Sequence, residues 1–252
     1  MTNIIMHGCN GRMGQVITDI VAASEDAAIV AGVDLFGGQK NDYPVYTALA
    51  DVKEEADVVI DFSNAKGVDA LLDYCVAKKI PCVLCSTGLS PEQLEHVEAA
   101  SKEVAILRSA NMSVGINLLM KVLAEVAPIL AQAGFDIEIV EKHHNQKLDS
   151  PSGTALALAE SINDSLEGSK EFVYDRSQVR QKRDPKEIGI SAVRGGTIVG
   201  THEVIFAGRD EVITFEHMAY SREIFAKGAV MAATFLAGKG PGLYDMSQVI
   251  NG

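Results

Sequence analysis

The segment from Lys142 to Lys147 holds the side chains best suited to proton transfer. Two histidines and two lysines fall within these six positions of an otherwise acidic chain. Histidine gives or takes a proton near neutral pH, and lysine can donate a proton or neutralise a bound anion. Hydride addition to an unsaturated carbon leaves a neighbouring centre that must be protonated. The two histidines, His143 and His144, and the two lysines, Lys142 and Lys147, are therefore candidates for such a step.

The residues after this segment predict an anion site. Residues 150–154, Ser-Pro-Ser-Gly-Thr, open a predicted helix, and the first N–H groups of a helix have no partner within it. A substrate carboxylate held by backbone N–H groups of this helix start and by the Thr154 hydroxyl would fit there. A solvated turn before a capped helix is the alternative interpretation. For one histidine it would be preferred, but the whole cluster favours function.

The histidine spacing does not favour a metal site. Adjacent residues of a strand point to opposite faces, and the sequence has no helical His-x-x-x-His pattern. For the same reason, His143 and His144 can both reach one substrate only if the strand ends by His144. We therefore expect no bound metal.

A glycine-rich loop lies between the first predicted strand, Asn3–His7, and the helix after it, Arg12–Ala23. The loop Gly8–Gly14 reads G-x-x-G-x-x-G, whereas the dinucleotide fingerprint is G-x-G-x-x-G, and Asn10 replaces the middle glycine. Glycine lets the backbone approach a pyrophosphate, and the helix N-terminus favours negative charge. Glycines needed only for packing are the alternative, but the strand, loop and helix together favour a dinucleotide site.

Other polar positions are expected around the same cofactor. Asp34 ends the second predicted strand, where an acidic side chain binds the ribose hydroxyls. Its charge would repel a 2′-phosphate and Leu35 follows it instead of an arginine, which favours NADH over NADPH, although Lys40 keeps the use of both open. Ligands of open α/β sheets lie at the carboxyl ends of strands. Three later polar ends should therefore face the nicotinamide: Phe62-Ser63, Ser86-Thr87-Gly88 and Ala110-Asn111-Met112-Ser113.

The first half of the chain predicts a parallel sheet covered by helices. Short apolar runs alternate there with helical patterns, and the runs are continuously apolar, as in strands buried on both faces. The predicted strands are Asn3–His7, Ile29–Asp34, Asp57–Phe62, Pro81–Cys85 and Val104–Arg108, and the predicted helices are Arg12–Ala23, Ala65–Lys78 and one that begins at Ser90.

The second half predicts a different architecture. Its helices are Asn117–Ala133 with a kink at Pro128, Ser152–Leu166 and Ser221–Ala237, and its strands are Phe135–Lys142, Ile188–Val193, His202–Ala207 and Glu211–Met218; the polar stretch Lys170–Lys186 is predicted to be a loop or an arm. The fold class is therefore α/β: a Rossmann-type parallel-sheet domain plus a smaller α+β substrate and oligomerisation domain with a largely antiparallel sheet.

Composition excludes several classes of protein. The chain has 252 residues, with 34 acidic side chains against 22 lysines plus arginines, and a net charge of −12. Nucleic-acid binding needs clustered basic residues, so we expect no nucleic-acid partner. No uninterrupted apolar stretch approaches the roughly 20 residues that span a membrane, and the N-terminus has no secretory pattern. Four cysteines suit free thiols in the cytoplasm.

The stretch Glu141–Ala155 closely resembles the signature of the dihydrodipicolinate (4-hydroxy-tetrahydrodipicolinate) reductase family of the diaminopimelate–lysine pathway. Gly8–Gly14 resembles that family's cofactor loop. Four further segments resemble it in the right order, so the resemblance covers nearly the whole chain: Ser86–Gly88, Asn111–Gly115, Arg194–Gly196 and Ser221-Arg222. The resemblance implies reduction of a cyclic dicarboxylate to tetrahydrodipicolinate by NADH or NADPH.

The resemblance also implies residue roles. His143 is implied as proton donor or acceptor, Lys147 as proton donor, and His144, Gly153 and Thr154 as substrate contacts. The implied cofactor contacts are Gly8, Cys9, Asn10, Gly11, Arg12, Met13, Asp34, Ser86, Thr87, Gly88, Ala110, Asn111, Met112 and Ser113. A dinucleotide domain of residues 1–114, completed by the C-terminal helix at 221–252, a second domain of residues 115–220 and a homotetramer formed through that domain's sheet are implied too.

Several residues are interpreted as structural. Cys82 and Cys85 lie in a strand at a spacing that puts their thiols on opposite faces, and His7, His96, His202 and His217 have no partner that the sequence indicates. Two other functions stay open. One is an amino-acid dehydrogenase of the aspartate type, and the other is a dinucleotide-sensing protein without catalysis.

Overall fold

The computed structural model describes residues 1–36 and 41–251, so Lys40 lies outside the described part. The chain divides into two compact units, Met1–Val114 with Glu223–Gly252, and Gly115–Arg222. In chain order the elements are β1 (Thr2–His7), α1 (Arg12–Ala22), β2 (Ala27–Val33), β3 (Val45–Tyr46), β4 (Val58–Asp61), α2 (Val68–Lys78), β5 (Cys82–Leu84), α3 (Pro91–Ser101), β6 (Ala105–Leu107), α4 (Val114–Gln132), β7 (Asp136–His143), α5 (Gly153–Ser165), β8 (Glu171–Val173), β9 (Glu187–Arg194), β10 (Gly200–Ala207), β11 (Val212–Ala219), α6 (Glu223–Leu236), β12 (Gly242–Tyr244) and α7 (Met246–Asn251).

The first unit is a doubly wound parallel sheet. Its seven strands run in the order β12-β6-β5-β4-β1-β2-β3, and all described pairs are parallel. Alternate strand residues enter two cores. Ile4 and Met6 pack with α1 and α6 on one side of the sheet, whereas Ile5 packs with α2 and α3 on the other. Continuous apolar strands are the consequence, which confirms the predicted fold class.

Short edge elements escaped the sequence prediction. β3 and β12 form the two edges of the parallel sheet and contain only two and three residues. Such strands are too short to show a hydrophobic period, since each needs its neighbour to define it. The helix expected from Ser90 begins at Pro91, with Ser90 as the cap of a capping box.

The second unit contains a mixed five-stranded sheet of order β11-β10-β7-β9-β8. β10 runs antiparallel to β11 and β7, whereas β9 runs parallel to β7 and β8. Burial alternates along β7, and Ile137 and Ile139 pack with α4 and α5 in the core of this unit. Glu141 and His143 continue the same buried row, so the strand carries two polar residues on its inward face.

The polar stretch after α5 is more ordered than the predicted loop. It includes the strand β8, and Arg176 and Arg183 lie 2.9 Å and 2.8 Å from Glu138 Oε1. Gly189 makes room for this cluster, since a Cβ there would lie 1.8 Å from Glu138 Oε2. Apart from β8, residues 174–186 form no helix or strand and are mostly exposed, which agrees with the predicted loop. What the sequence did not predict is its attachment to β7, because Glu138 lies 38 residues before Arg176 and 45 before Arg183.

Within residues 1–36 and 41–251, one helix, α4, is long and apolar enough to cross a membrane by length and composition alone. Lys121 and Glu125 interrupt its apolar sequence, and Pro128 lies inside it. Leu123 and Ala127 on one of its faces are buried in the core of the second unit. The helix that passes this length and composition test therefore packs one face on the sheet of the second unit.

Candidate active site

The centre of the candidate site is a histidine–carboxylate pair at the end of β7. The Nδ1 atom of His143 lies 2.6 Å from Glu141 Oε2, and the Glu141 side chain is fully buried. Two residues apart on a strand, both side chains point to the same face. β7 ends at His143, so the half-buried His144 is no longer held in the strand's alternation. The condition set by the sequence for both histidines to serve one site is therefore met.

Glu141 binds three further donors. The N–H of Ser152 donates to Oε1 at 2.9 Å, and the two terminal nitrogens of Arg194 donate to the two carboxylate oxygens at 2.7 Å each. Arg194 also donates to the carbonyl of Asp149 at 2.7 Å. Burial by itself would raise the pKa of Glu141, but the hydrogen bonds from Arg194 and His143 outweigh it and hold the pKa below its ordinary value.

A second buried histidine, His202 on β10, stands against His143. Their ring centroids are 5.1 Å apart at an interplanar angle of 72°, and His202 Nε2 lies 3.0 Å from the Ser152 hydroxyl. Burial and the neighbouring His143 lower the pKa of His202 to about 4. Burial also lowers the pKa of His143, in spite of the opposing effect of Glu141. At neutral pH both imidazoles are therefore uncharged.

Lys147 lies in the turn that follows β7. Its ammonium is 2.9 Å from Asp149 Oδ1, and its N–H donates to the carbonyl of His144 at 3.2 Å. The positive charge of Lys147 is close enough to lower the pKa of His143. The turn thus places a cation beside a neutral imidazole.

The start of α5 has the geometry of an anion site. The Ser152 hydroxyl caps the helix by accepting from the N–H of Ala155 at 3.1 Å. Gly153 is exposed in the first turn, and a Cβ there would have no described heavy atom within 4 Å. Thr154 follows it and is half-buried. The first turn therefore offers an accessible backbone at the positive end of the helix.

The glycine loop of the first unit is shaped for a close approach of its backbone. Gly8 has φ +83°, and a Cβ there would lie 2.8 Å from the carbonyl oxygen of Phe62. A Cβ at Gly14 would lie 2.3 Å from the carbonyl oxygen of Gly8. Only glycine satisfies both positions, which is the cradle that a dinucleotide pyrophosphate requires.

Asp34 lies beside this loop. Its carboxylate accepts the N–H of Asn10 and the N–H of Phe36, each at 2.9 Å, so it fixes the loop to the end of β2. A cavity of about 390 Å³ opens here. Its polar and glycine lining includes His7, Gly8, Gly11, Asp34, Ser63 and Lys66. The cradle and this cavity fit the adenosine half of a dinucleotide.

The other predicted cofactor residues differ in exposure. Cys9 and Met112 are buried in the core, where Met112 packs against α6 through Gly228. Side-chain contact of these two with a cofactor is therefore not indicated. The remaining ones fall into three classes of exposure. The buried ones are Ser86 and Ser113, the half-buried ones are Asn10, Met13 and Asn111, and the exposed ones are Arg12, Thr87, Gly88 and Ala110. The segments of 86–88 and 110–113 follow β5 and β6, at the carboxyl edge of the sheet that also bears the glycine loop.

Sequence reasoning missed four residues of these two regions. Glu141 was detectable, since it shares a face with His143 by strand alternation. Arg194 and His202 were not, because no local pattern links them to β7, although Arg194 was noted within a family segment. His7 was left without a partner, yet its Nδ1 lies 2.8 Å from the buried Asp61. Among the described residues, no group of three or more His, Cys, Asp or Glu could hold a metal ion.

Comparison with known proteins gives full-length matches. Residues 2–112 match the family model for the N-terminus of dihydrodipicolinate reductase, and residues 115–250 match the model for its C-terminus. The 4-hydroxy-tetrahydrodipicolinate reductase of Caldanaerobacter subterraneus subsp. tengcongensis is 54% identical over 254 residues, covering 99% of this chain and 98% of that protein. The enzyme of the same name from Clostridium tetani is 48% identical, covering 100% and 98%.

A solved structure agrees with these matches. The dipicolinate-bound dihydrodipicolinate reductase from Paenisporosarcina sp. TG-14 is 25% identical, with a TM-score of 0.79 and 97% of each chain covered. A likeness to a diaminopimelate dehydrogenase of C. glutamicum, at 14% identity and a TM-score of 0.57, shows a shared fold alone.

Proposed function

The chain belongs to the dihydrodipicolinate reductase family, and on that premise we propose that it reduces 4-hydroxy-tetrahydrodipicolinate to tetrahydrodipicolinate. It is an NAD(P)H-dependent oxidoreductase of diaminopimelate and lysine biosynthesis. Loss of the 4-hydroxyl as water leaves an unsaturated ring, which takes up one hydride and one proton. A bound reduced nicotinamide supplies the hydride, so the protein must supply the proton and hold the ring.

His143 and Lys147 form the proposed proton-transfer site. The observation that carries this assignment is the pair formed by His143 and buried Glu141, with the charge of Lys147 beside it. The Lys147 ammonium pairs with the Asp149 carboxylate, and we assign it as the group that releases a proton to the ring. His143 offers a neutral imidazole next to it.

The start of α5 is the proposed carboxylate site. Gly153 and Thr154 present the first turn of the helix, and the substrate carries two carboxylates. The partial positive charge of the turn favours one of them. His144, released from the strand, is proposed as a further substrate contact.

The glycine loop, Asp34 and the later strand ends are proposed to bind the dinucleotide. Support comes from the Gly8 and Gly14 cradle and from the cavity beside Asp34. We propose NADH as the preferred cofactor, because Asp34 would repel a 2′-phosphate and Leu35 offers it no cation. Lys66 lines the same cavity, and its positive charge would permit some use of NADPH.

Assembly and location are also proposed. The first unit would bind the dinucleotide, and the second would bind the substrate and form a homotetramer through its sheet. Exposed apolar side chains of the second unit support an interface, among them Val212, Met218 and Tyr220. Light scattering coupled to size-exclusion chromatography tests the tetramer. A family of small-molecule biosynthetic enzymes supports a cytoplasmic location.

Oxidation of NADH and NADPH, followed separately by absorbance, tests the function. The substrate is generated enzymatically from pyruvate and aspartate semialdehyde. We expect faster turnover with NADH, and a loss in kcat of about 100-fold or more for His143→Ala and Lys147→Ala, the range of a lost acid or base. NADH binding should be retained.

Two surface variants serve as controls. His96→Ala removes a histidine that pairs with Asp69 on the surface of the first unit, and Lys142→Gln removes a lysine from the opposite face of β7. Both should keep near-parental rates. Near-normal rates in His143→Ala and Lys147→Ala would show that the assigned chemistry is wrong, and oxidation of neither dinucleotide would refute the function itself.

A further inference from the structure

We propose that Glu141 is a positioning residue that fixes His143 as the Nδ1–H tautomer, so that His143 meets the substrate with the lone pair of Nε2. On this assignment His143 accepts a hydrogen bond or a proton, and Lys147 is the group that donates. The inference rests on the proposed function and assigns a direction to its proton-transfer site.

The first step of the argument is the charge of Glu141. Its two oxygens accept hydrogen bonds from both terminal nitrogens of Arg194 and from the N–H of Ser152. All three groups can only donate. A protonated carboxyl would have to place its own hydrogen among these donors. Glu141 is therefore ionised and can only accept from His143.

The second step is the state of the imidazole. Because Glu141 can only accept, the His143 Nδ1 atom at 2.6 Å must carry the hydrogen. Burial and the positive charges of Lys147 and Arg194 oppose a second proton on this ring, and the uncharged His202 packs against it. His143 is thus neutral, with its free lone pair on Nε2.

The third step is the space around Nε2. Gly200 on β10 lies next to this nitrogen, and a Cβ there would stand 3.1 Å from it. Glycine leaves that side of the ring uncovered by a side chain. The nitrogen that Glu141 makes an acceptor is therefore the one beside which β10 carries no side chain.

The fourth step is the reach of this one carboxylate. Arg194, bound to Glu141, also holds the carbonyl of Asp149, whose side chain pairs with Lys147. Through Ser152, Glu141 also touches the start of α5. The carboxylate therefore connects the acceptor, the turn of the donor and the anion site, which is the support that a preorganised site needs.

The experiment uses two-dimensional ¹⁵N NMR of the full-length protein, labelled at its six histidines. Three variants are compared with the parent: Glu141→Gln, the charge-balanced double variant Glu141→Gln/Arg194→Met, and Glu203→Gln. The double variant leaves no unpaired buried charge, so it keeps the test valid where the single variant folds poorly. Glu203 on β10 pairs with Lys142, whose side chain leaves β7 on the face opposite to Glu141. Glu203 therefore provides the matched control.

The parent should show a protonated Nδ1 and an unprotonated Nε2 for His143 at neutral pH. In the double variant the Nε2–H tautomer should appear, and kcat should fall about tenfold while the KM for the dinucleotide stays unchanged, since the tautomer and not the cofactor site is altered. The Glu203→Gln variant should keep the parental spectrum and rate.

A parent His143 that carries its proton on Nε2, or on both nitrogens, would overturn the inference whatever the enzyme's activity. A double variant with an unchanged His143 spectrum would overturn it as well. The spectrum separates this inference from the function: the expected tautomer in a chain that reduces no cyclic dicarboxylate would support the positioning role of Glu141 and refute only the function.

Discussion

Two histidines of this chain are each bound to a fully buried carboxylate, one in each unit. His7 Nδ1 lies 2.8 Å from Asp61 beside the glycine loop, and His143 Nδ1 lies 2.6 Å from Glu141 beside α5. In both pairs the histidine is the last residue of its strand. The same chemical unit therefore occurs at the proposed cofactor site and at the proposed proton-transfer site.

The two carboxylates differ in their other partners. Asp61 accepts the hydroxyl of Ser63 at 2.6 Å and its N–H at 3.2 Å, whereas Glu141 accepts the guanidinium of Arg194. An arginine is permanently charged, so Glu141 stays ionised in either state of its histidine. Asp61 has no such cation among its described hydrogen-bond partners, so its charge depends more closely on His7. The comparison teaches that a fixed cation, and not the histidine–carboxylate pair alone, makes one partner a permanent acceptor.

The largest expected effect comes from removing that cation. Arg194→Met leaves Glu141 as a buried carboxylate without a counter-ion and should lower the free energy of unfolding by about 3 kcal/mol. Ser63→Ala removes a neutral donor from Asp61 and should cost about 1.5 kcal/mol. Urea unfolding at pH 7 measures both values.

The double variant Glu141→Gln/Arg194→Met provides the control for this result. It should recover most of the stability lost in Arg194→Met, because no charge is left unpaired. A smaller loss for Arg194→Met than for Ser63→Ala would mean that the two pairs do not differ as described.

The two regions also differ in how far the sequence predicted them. The proposed cofactor loop is local: Gly8–Gly14 lies between one strand and one helix, and Asp34 follows the next strand, so periodicity and spacing were enough to propose it. The second site depends on distant contacts, with Arg194 53 residues from Glu141 and His202 50 residues from Ser152. Of the contacts within it, only the pairing of Glu141 with His143 was readable in advance, from strand alternation.

Strand pairing explains the remaining differences. A short apolar run does not reveal its neighbour, so the parallel pairing of β9 with β7 could not be predicted from the runs alone. That pairing brings Arg194 opposite His143. The site of the second unit therefore forms only when the sheet order is set.

Acidification should lower the stability of the second unit more than that of the first, by less than the loss expected for Arg194→Met. The pKa of His202 falls from 6.5 unfolded to about 4 folded, so between these values the unfolded chain binds one more proton. Its contribution is complete above pH 6.5 and decreases by about 1.4 kcal/mol per pH unit as the pH falls towards 4. The pKa of Asp61 lies below 3.8, because His7 and Ser63 outweigh its burial, so its loss begins only there.

The second unit should consequently open first in mild acid. Hydrogen exchange, corrected for intrinsic rates, should show lower protection in β7 and β10 at pH 5 than at pH 7, while β1 and β4 change less. His143, Glu141, His217 and Lys147 also act on His202. The diagnostic variant is therefore His202→Gln, which removes its titration together with its contacts to Ser152 and His143. Equal loss of protection in both units would argue against this assignment. So would a His202→Gln variant whose protection in β7 and β10 still falls as much between pH 7 and pH 5 as in the parent.

The smallest expected effect comes from adding one methyl group beside each histidine. A Cβ at Gly200 would lie 3.1 Å from His143 Nε2, so the ring must move by a few tenths of an ångström, whereas a Cβ at Gly67 would lie 3.6 Å from His7 Cε1, an ordinary contact. Gly200→Ala should lower kcat about tenfold, since catalysis is sensitive to displacements below 1 Å. Gly67→Ala should leave kcat unchanged and alter at most the KM for the dinucleotide, whose proposed cavity it lines. Steady-state kinetics of the two variants decide the matter: equal kcat values would mean that the absence of a side chain beside His143 Nε2 has no role in turnover.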